Sequence, residues 1–242
     1  MAVTQGHGNP NWTRDETLLA LNLYQRLGGQ VPGPEDAQII ALSQRLRVLP
    51  VHQGAAKRDS FRNPAGVAFK LQNIRQVATG HGLGNVSSLD RAIWQEFGGS
   101  PELVQRLVDA IVAEVASGEL DEATVAALDE DEEFAEGRVL TAVHLRRERN
   151  PKLRGRLLSK RQEAGNLRCD CCDDGPKAVP PDLALAGFEA HHLTPLAEST
   201  RASTRLSDIA LLCATCHRLI HRAMHMHKRW IGVAELKTLL AR

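Results

Sequence analysis

Through the first hundred residues, apolar positions recur at helical spacing between short breaks rich in glycine and proline. In "NWTRDETLLALNLYQRL", Thr13 followed by Glu16 is a capping-box signature, and Leu18, Leu21, Tyr24 and Leu27 supply the buried face of a first helix. "GGQVPG" breaks the chain, and Pro34 opens a second helix through Ile39, Ile40, Leu42 and Leu46. A basic loop, "PVHQGAAKRDSFRN", then leads to Pro64, a favoured first-turn residue of a third. There Val67, Leu71, Ile74 and Ala78 line one face, leaving Lys70, Asn73 and Gln76 on another with Gln72 and Arg75 beside them. Three helices predict a small, HTH-like domain over residues 1–100, after a polar stretch, 1–10, expected to be disordered.

The next pattern is again helical. Leu103, Leu107, Ile111 and Val115 give a single stripe over Pro101–Ser117, and a shorter helix is expected over Asp121–Leu128. Residues 101–145 therefore read as a helical connector whose stripe packs on its own domain or forms a dimer seam. "LDEDEEFAE" at 128–136 is expected to be a solvated linker or helix face.

Charge changes this picture once it is read by segment. The net charge is only +1, but residues 101–145 hold twelve acidic side chains against two basic ones. Residues 146–168 hold nine basic against two acidic. Affinity for nucleic acid depends on such local clustering, because each phosphate is neutralised by a nearby cation. The run "RRERNPKLRGRLLSKRQEAGNLR" is the strongest basic stretch and predicts a helix beside a phosphate backbone, with Leu153, Leu157 and Leu158 packed inward. A hydrophobic content of 43% suffices for ordinary cores, and no secretory signal or membrane-spanning stretch is visible. Cytoplasmic location is the expectation.

The last third carries the chemistry. Cys169-x-x-Cys172 and Cys213-x-x-Cys216 are two metal-ligand pairs, and the forty residues between them contain Glu189-Ala-His191-His192. A C-x-x-C turn presents two thiolates to one ion, and two such turns close a tetrahedral Zn2+ site. In a reducing compartment this outweighs disulfides. Cys171 is read as a spare thiol. His217 and His221 stand four apart on a helix expected to begin near Cys216, so they project from one face and can share an ion. Strand alternation sends His191 and His192 to opposite faces, which separates their roles. His225 and His227 read as surface histidines.

"FEAHHLTPL" and "DIALLCATCHRLIH", within the stretch from about Arg149 to His221, resemble an HNH (ββα-metal) endonuclease domain of the McrA type. The resemblance implies a mainly α fold, with a helical N-terminal domain and a zinc-stapled ββα-metal domain over 146–242. It implies His192 as general base, and His191 as ligand of a catalytic divalent ion (Mg2+, Mn2+, Co2+ or Ni2+), completed by His217 and His221. Asp208 stands where the family has its middle asparagine. It joins the candidate catalytic set as a residue that ties the loop, since a carboxylate still accepts backbone N–H bonds but cannot donate.

"NWTRDETLLALNLYQRL", "NPAGVAFKLQNIRQV" and "GLGNVSSLDRAIWQEF" resemble a helical domain that often precedes HNH modules in prokaryotic restriction proteins. In McrA-type enzymes such a domain reads modified DNA, commonly 5-methylcytosine. The candidate DNA contacts are Lys57, Arg58, Arg62, Lys70, Asn73 and Arg75 upstream, and Arg146, Arg147, Arg154 and Arg156 in the basic run. Trp12, Tyr24, Phe61, Phe69 and Trp94 are the aromatic candidates for a methyl pocket, Phe61 first among them. The expected partners are modified double-stranded DNA and a second copy of the chain. The alternatives are a non-catalytic reader of modified DNA that retains an HNH fold, an HNH nuclease without modification dependence, and a zinc-dependent interaction module.

Overall fold

The computed structural model describes residues 8–118, 120, 123, 125, 137–148, 151–195, 204–227 and 229–241. The expected helix over 121–128, apart from Ala123 and Val125, and the acidic stretch 128–136 lie outside them, as does most of the segment 1–10. The chain divides into two compact units, Met1–Ala127 with Glu136–Val139, and Leu128–Ala135 with Leu140–Arg242.

The first unit is all helical among the described residues: α1 (Arg14–Arg26), α2 (Ala37–Arg47), α3 (Gln53–Ala56), α4 (Pro64–Thr79), α5 (Ser88–Phe97) and α6 (Pro101–Ser117). The predicted capping box forms at α1, where Thr13 Oγ1 accepts the Glu16 N–H at 3.3 Å and Glu16 Oε2 accepts the Thr13 N–H at 2.8 Å. α1 is buried continuously from Asp15 to Tyr24, because α2, α4, α5 and α6 all pack on it. The buried positions of α6 are Val104, Leu107, Val108 and Ile111, and Asn22 of α1 donates to Gln105 at 2.9 Å. Of the stripe predicted over 101–117, Leu107 and Ile111 are buried, whereas Leu103 and Val115 are half-buried; Val104 and Val108 complete the buried face, and α6 packs on α1 of the same chain.

Central burial forces polar side chains to pair internally, since an isolated buried charge is too costly to keep. Arg62 donates through Nε and Nη2 to Glu16, at 2.7 and 2.8 Å, and also to the Pro10 and Asn11 carbonyls. Its guanidinium lies 4.5 Å from the Trp12 ring centroid and 4.6 Å from that of Phe61. The backbone of Arg62 is left-handed, at φ 44°, and Ser43 Oγ holds its carbonyl at 2.7 Å. Lys70 pairs with Asp90 of α5 and stands 5.0 Å from the Trp12 ring. Asp15 accepts the N–H groups of Arg138 and Val139 at 2.9 and 3.1 Å, satisfying donors that a helix start leaves open.

These pairings correct the reading of the third predicted helix. Lys70 and Asn73 are buried, because α1 and α5 cover the face of α4 that its polar residues suggested was open, and Arg62, in the loop before α4, is buried by its pairing with Glu16 of α1. They are core residues and not duplex contacts. Phe61 is likewise fully buried, whereas Ile40, expected inside, is exposed. Lys57, Arg58 and Arg75 are exposed, as is Phe69.

α7 (Arg138–Glu148) starts in the first unit and continues into the second, which adds α8 (Pro151–Glu163), α9 (Pro181–Ala186), β1 (Phe188–His192), β2 (Ile209–Cys213), α10 (Ala214–His227) and α11 (Val233–Leu240). β1 and β2 are antiparallel, with Phe188 opposite Cys213 and His192 opposite Ile209. Leu211 and Leu212 are completely buried, each worth about 1.5–3 kcal/mol by removal from water. Around them pack Leu157, Leu158, Phe188, Ile220, Met224 and Leu236. The basic run is split between α7 and α8. In α8, Arg154 is a structural tie and not a free cation: it donates to the carbonyls of Phe188 at 2.8 Å and Leu185 at 2.5 Å. Arg156 is exposed, and the side chains of Arg146 and Arg147 lie outside the described residues. The mainly helical architecture with a C-terminal two-stranded, cysteine-clustered domain is as the sequence predicts.

Candidate metal centres and active site

The Cys169–Cys172 turn ends on Asp173, at φ 63°, a left-handed conformation that a short polar side chain tolerates. The turn closes through the Asp173 N–H to the Cys169 carbonyl at 3.0 Å and the Cys169 N–H to the Asp174 carbonyl at 2.9 Å. Asp170 anchors it to β2: its N–H donates to the Leu211 carbonyl at 2.7 Å and its Oδ2 accepts the Leu211 N–H at 2.8 Å. Arg161 holds the same carboxylate from α8, at 2.6 and 2.7 Å.

These ties bring Cys169, Cys172, Cys213 and Cys216 together as a group that could hold a metal ion. The sulfurs of Cys172 and Cys213 are 3.8 Å apart, and a tetrahedral ion with bonds of about 2.3 Å sets its sulfurs about 3.8 Å apart. Cys169 Sγ receives the N–H groups of Cys171 and Cys213, at 3.4 and 3.2 Å, and Cys213 Sγ receives that of Cys216 at 3.4 Å. Burial raises the Cys169 thiol, but these backbone donors outweigh it and hold the group below the usual thiol range. Burial, joined by the neighbouring sulfurs, pushes Cys216 far up. Four thiolates so placed repel one another, and a dication removes the conflict. The donor set therefore fits Zn2+. Cys171 is buried in the apolar core, outside the group, with its thiol raised by burial.

A second group forms around β1 and α10. Strand alternation gives Glu189 and His191 one face and His192 the opposite one, and α10 lies against the hairpin with His217 and His221 one turn apart. His217 Nε2 and His221 Nε2 are 3.0 Å apart. The His191 ring is buried 5.4 Å from that of His217 and 5.1 Å from that of His221, and Trp230 stacks on it at 5.8 Å with planes 15° apart. Donor atoms of His191, His217, His221 and Glu148 lie within 4.8 Å of one another.

Glu148 was missed from sequence, where it counted as one acid inside a basic run. It is buried at the last turn of α7. Its Oε1 lies 2.8 Å from His191 Nδ1, and its Oε2 lies 3.1 Å from His217 Nε2 and 3.2 Å from His221 Nε2. Oε1 also accepts the backbone N–H of His192 at 3.0 Å. The available signal was its place two residues before Asn150-Pro151, a dipeptide that disfavours helix. Glu189 was named in the motif but given no task. Its Oε2 lies 2.8 Å from His217 Nδ1. Burial lowers the His217 pKa, but hydrogen bonds to Glu148 and Glu189 outweigh it and push the ring up to about 9. The same bond from His217 holds Glu189 below the usual carboxylate range.

His192 is buried apart from the histidine cluster, with Nε2 3.3 Å from Thr204 Oγ1 and Nδ1 3.8 Å from Glu148 Oε1. Asp208 closes the turn entering β2: Oδ2 accepts the Arg205 N–H at 2.9 Å, Oδ1 accepts from Ser207 at 3.2 Å, and its carbonyl accepts the Leu193 N–H at 2.9 Å. A carboxylate serves here by accepting alone. Of the residues predicted for the site, the structure brings together the four cysteines as one group and His191, His217 and His221 as another. His227 is exposed and His225 is half-buried.

Among the described residues, no helix is long and apolar enough to cross a membrane. No curated protein and no solved structure matches the chain. Residues 169–223 match the family model described as HNH endonuclease, so the chain carries at that segment a domain of HNH endonuclease type, which points to nuclease activity on DNA.

Proposed function

We propose that the chain is a modification-dependent restriction endonuclease that hydrolyses duplex DNA carrying modified cytosine, with 5-methylcytosine as the first candidate. The observation that supports hydrolysis is the convergence of His191, His217 and His221 beside His192 inside the HNH-type segment. In this reading Cys169, Cys172, Cys213 and Cys216 hold Zn2+ as a scaffold. His191, His217 and His221 hold the catalytic divalent ion, with Mg2+, Mn2+, Co2+ and Ni2+ as candidates.

When bound, that ion supplies positive charge to the phosphoryl and leaving oxygens. His192 is the general base. Its imidazole takes the proton of a water whose oxygen bonds to phosphorus as the bond to the leaving oxygen breaks. Thr204, at 3.3 Å from Nε2, orients the ring, and the Glu148 carboxylate fixes the backbone N–H of the same residue. Asp208 keeps the loop closed and takes no part in proton transfer.

Recognition is assigned to the first unit. The support for modified DNA is the resemblance of its helices to domains that precede HNH modules. The exposed cations Lys57, Arg58 and Arg75 there, with Arg156 in α8, are the available phosphate contacts. Cleavage of both strands with one site per chain is simplest for a homodimer acting in the cytoplasm.

The test is cleavage and binding of one plasmid in unmethylated, methylated and hydroxymethylated forms, with each of the four ions. Cutting confined to modified plasmid is expected. Equal cutting of all forms would leave an HNH nuclease without modification dependence. Binding of methylated duplex without cutting under any ion would make the protein a reader.

A further inference from the structure

We propose that Glu148, contributed by α7 ahead of the matched segment, is the anionic fourth ligand of the divalent ion held by His191, His217 and His221. This rests on the nuclease reading above. Three atoms carry the argument: Glu148 Oε2, His217 Nε2 and His221 Nε2 form a nearly equilateral triangle with sides of 3.0, 3.1 and 3.2 Å. A proton can bridge one edge of such a triangle, whereas a cation near its centre serves all three lone pairs. Spacings near 3 Å also suit donors sharing one ion at bond lengths of about 2.0–2.1 Å.

Burial points the same way. The Glu148 side chain is 2% exposed and faces three imidazoles, and a buried carboxylate is stable only when paired or bound to metal. The other carboxylate oxygen accepts the His192 N–H and lies 2.8 Å from His191 Nδ1. That pair of contacts fixes the carboxylate plane, and it links the ligand to the strand that carries the general base. One carboxylate among three imidazoles makes the site one for ions that accept imidazole nitrogen, Co2+ or Ni2+ ahead of the oxygen-preferring Mg2+.

The test is titration of the zinc-loaded full chain with Co2+, followed by visible absorption, with plasmid cleavage measured in parallel. Glu148→Gln keeps an acceptor for the His192 N–H and removes the charge; His217→Ala is the reference for loss of a ligand. Glu148→Gln is expected to weaken Co2+ binding at least about tenfold, as His217→Ala does, with an altered absorption spectrum. If Glu148→Gln does not fold, Glu148→Asp decides, and a folded Glu148→Asp should also bind Co2+ more weakly. Wild-type affinity and spectrum in a folded Glu148 variant, with loss in His217→Ala, would overturn the ligand role and leave the nuclease reading intact. Failure of the wild-type chain to bind any ion at this cluster or to cut would overturn both.

Discussion

Glu189 Oε2 lies 2.8 Å from His217 Nδ1, and this contact turns the opposite nitrogen of the ring, Nε2, toward its 3.0 Å approach to His221. A carboxylate behind a histidine ligand fixes tautomer and direction, and losing it typically costs about 10–100-fold in metal affinity. Glu189→Gln should therefore weaken Co2+ or Mn2+ binding within that range while melting near the wild type. Unchanged affinity in a calorimetric titration would remove Glu189 from the site.

The same hydrogen bonds predict a pH profile. A ligating imidazole must be neutral, and Glu148 and Glu189 hold His217 protonated up to about 9 against the usual 6.5. The ion must displace that proton, so apparent affinity should fall about tenfold for each pH unit below 9 and level off above it. Titrations between pH 7 and 9.5 check this. A flat profile there would contradict the ion pairs around His217.

Removing the scaffold should be more drastic than removing the catalytic ion. Structural Zn2+ contributes about 10–16 kcal/mol of folding free energy, so Cys213→Ser should abolish protection of β2 and α10 in hydrogen exchange. Cys171→Ser, outside the sulfur cluster, should keep its zinc content. Equal loss in both variants would put Cys171 among the ligands.

Two arginines of one helix should behave oppositely. Arg154 is spent on the carbonyls of Leu185 and Phe188, so Arg154→Ala should lower the melting temperature. Arg156 is exposed, and Arg156→Ala should leave stability alone, weaken DNA binding uniformly across sequences and reduce the salt slope by about 1. Gel shifts at several salt concentrations separate the two.

In the first unit, Arg62→Ala removes the guanidinium paired with the buried Glu16 carboxylate and should cost about 3–5 kcal/mol in urea unfolding. DNA affinity per folded molecule should not change. A selective loss of DNA binding at wild-type stability would restore Arg62 to the recognition surface.

The capping box at Thr13 and Glu16, the start of α6 at Pro101 and the two cysteine pairs were all legible in the sequence, because each depends on residues three or four apart. Spacing also placed His217 and His221 on one helix face, and alternation parted His191 from His192. The burial of Arg62, Lys70 and Asn73 was not legible. A polar helix face looks the same whether solvent or another helix covers it, and here α5 supplies Asp90 to Lys70 while α1 supplies Glu16 to Arg62.

By itself, then, the sequence determined the main helices, the two cysteine pairs and the placing of His217 and His221 on one helix face, since local spacing dictates these, while the hairpin and the candidate roles of the histidines rest on the resemblance to HNH domains. Only the tertiary structure decided which charges are free and which are core, and that Glu148, far from the cysteine and histidine motifs in the chain, closes on the histidine cluster. The reason is that ion pairing and desolvation depend on distance in space, and the place of Glu148 beside His191 and His192 sets that distance.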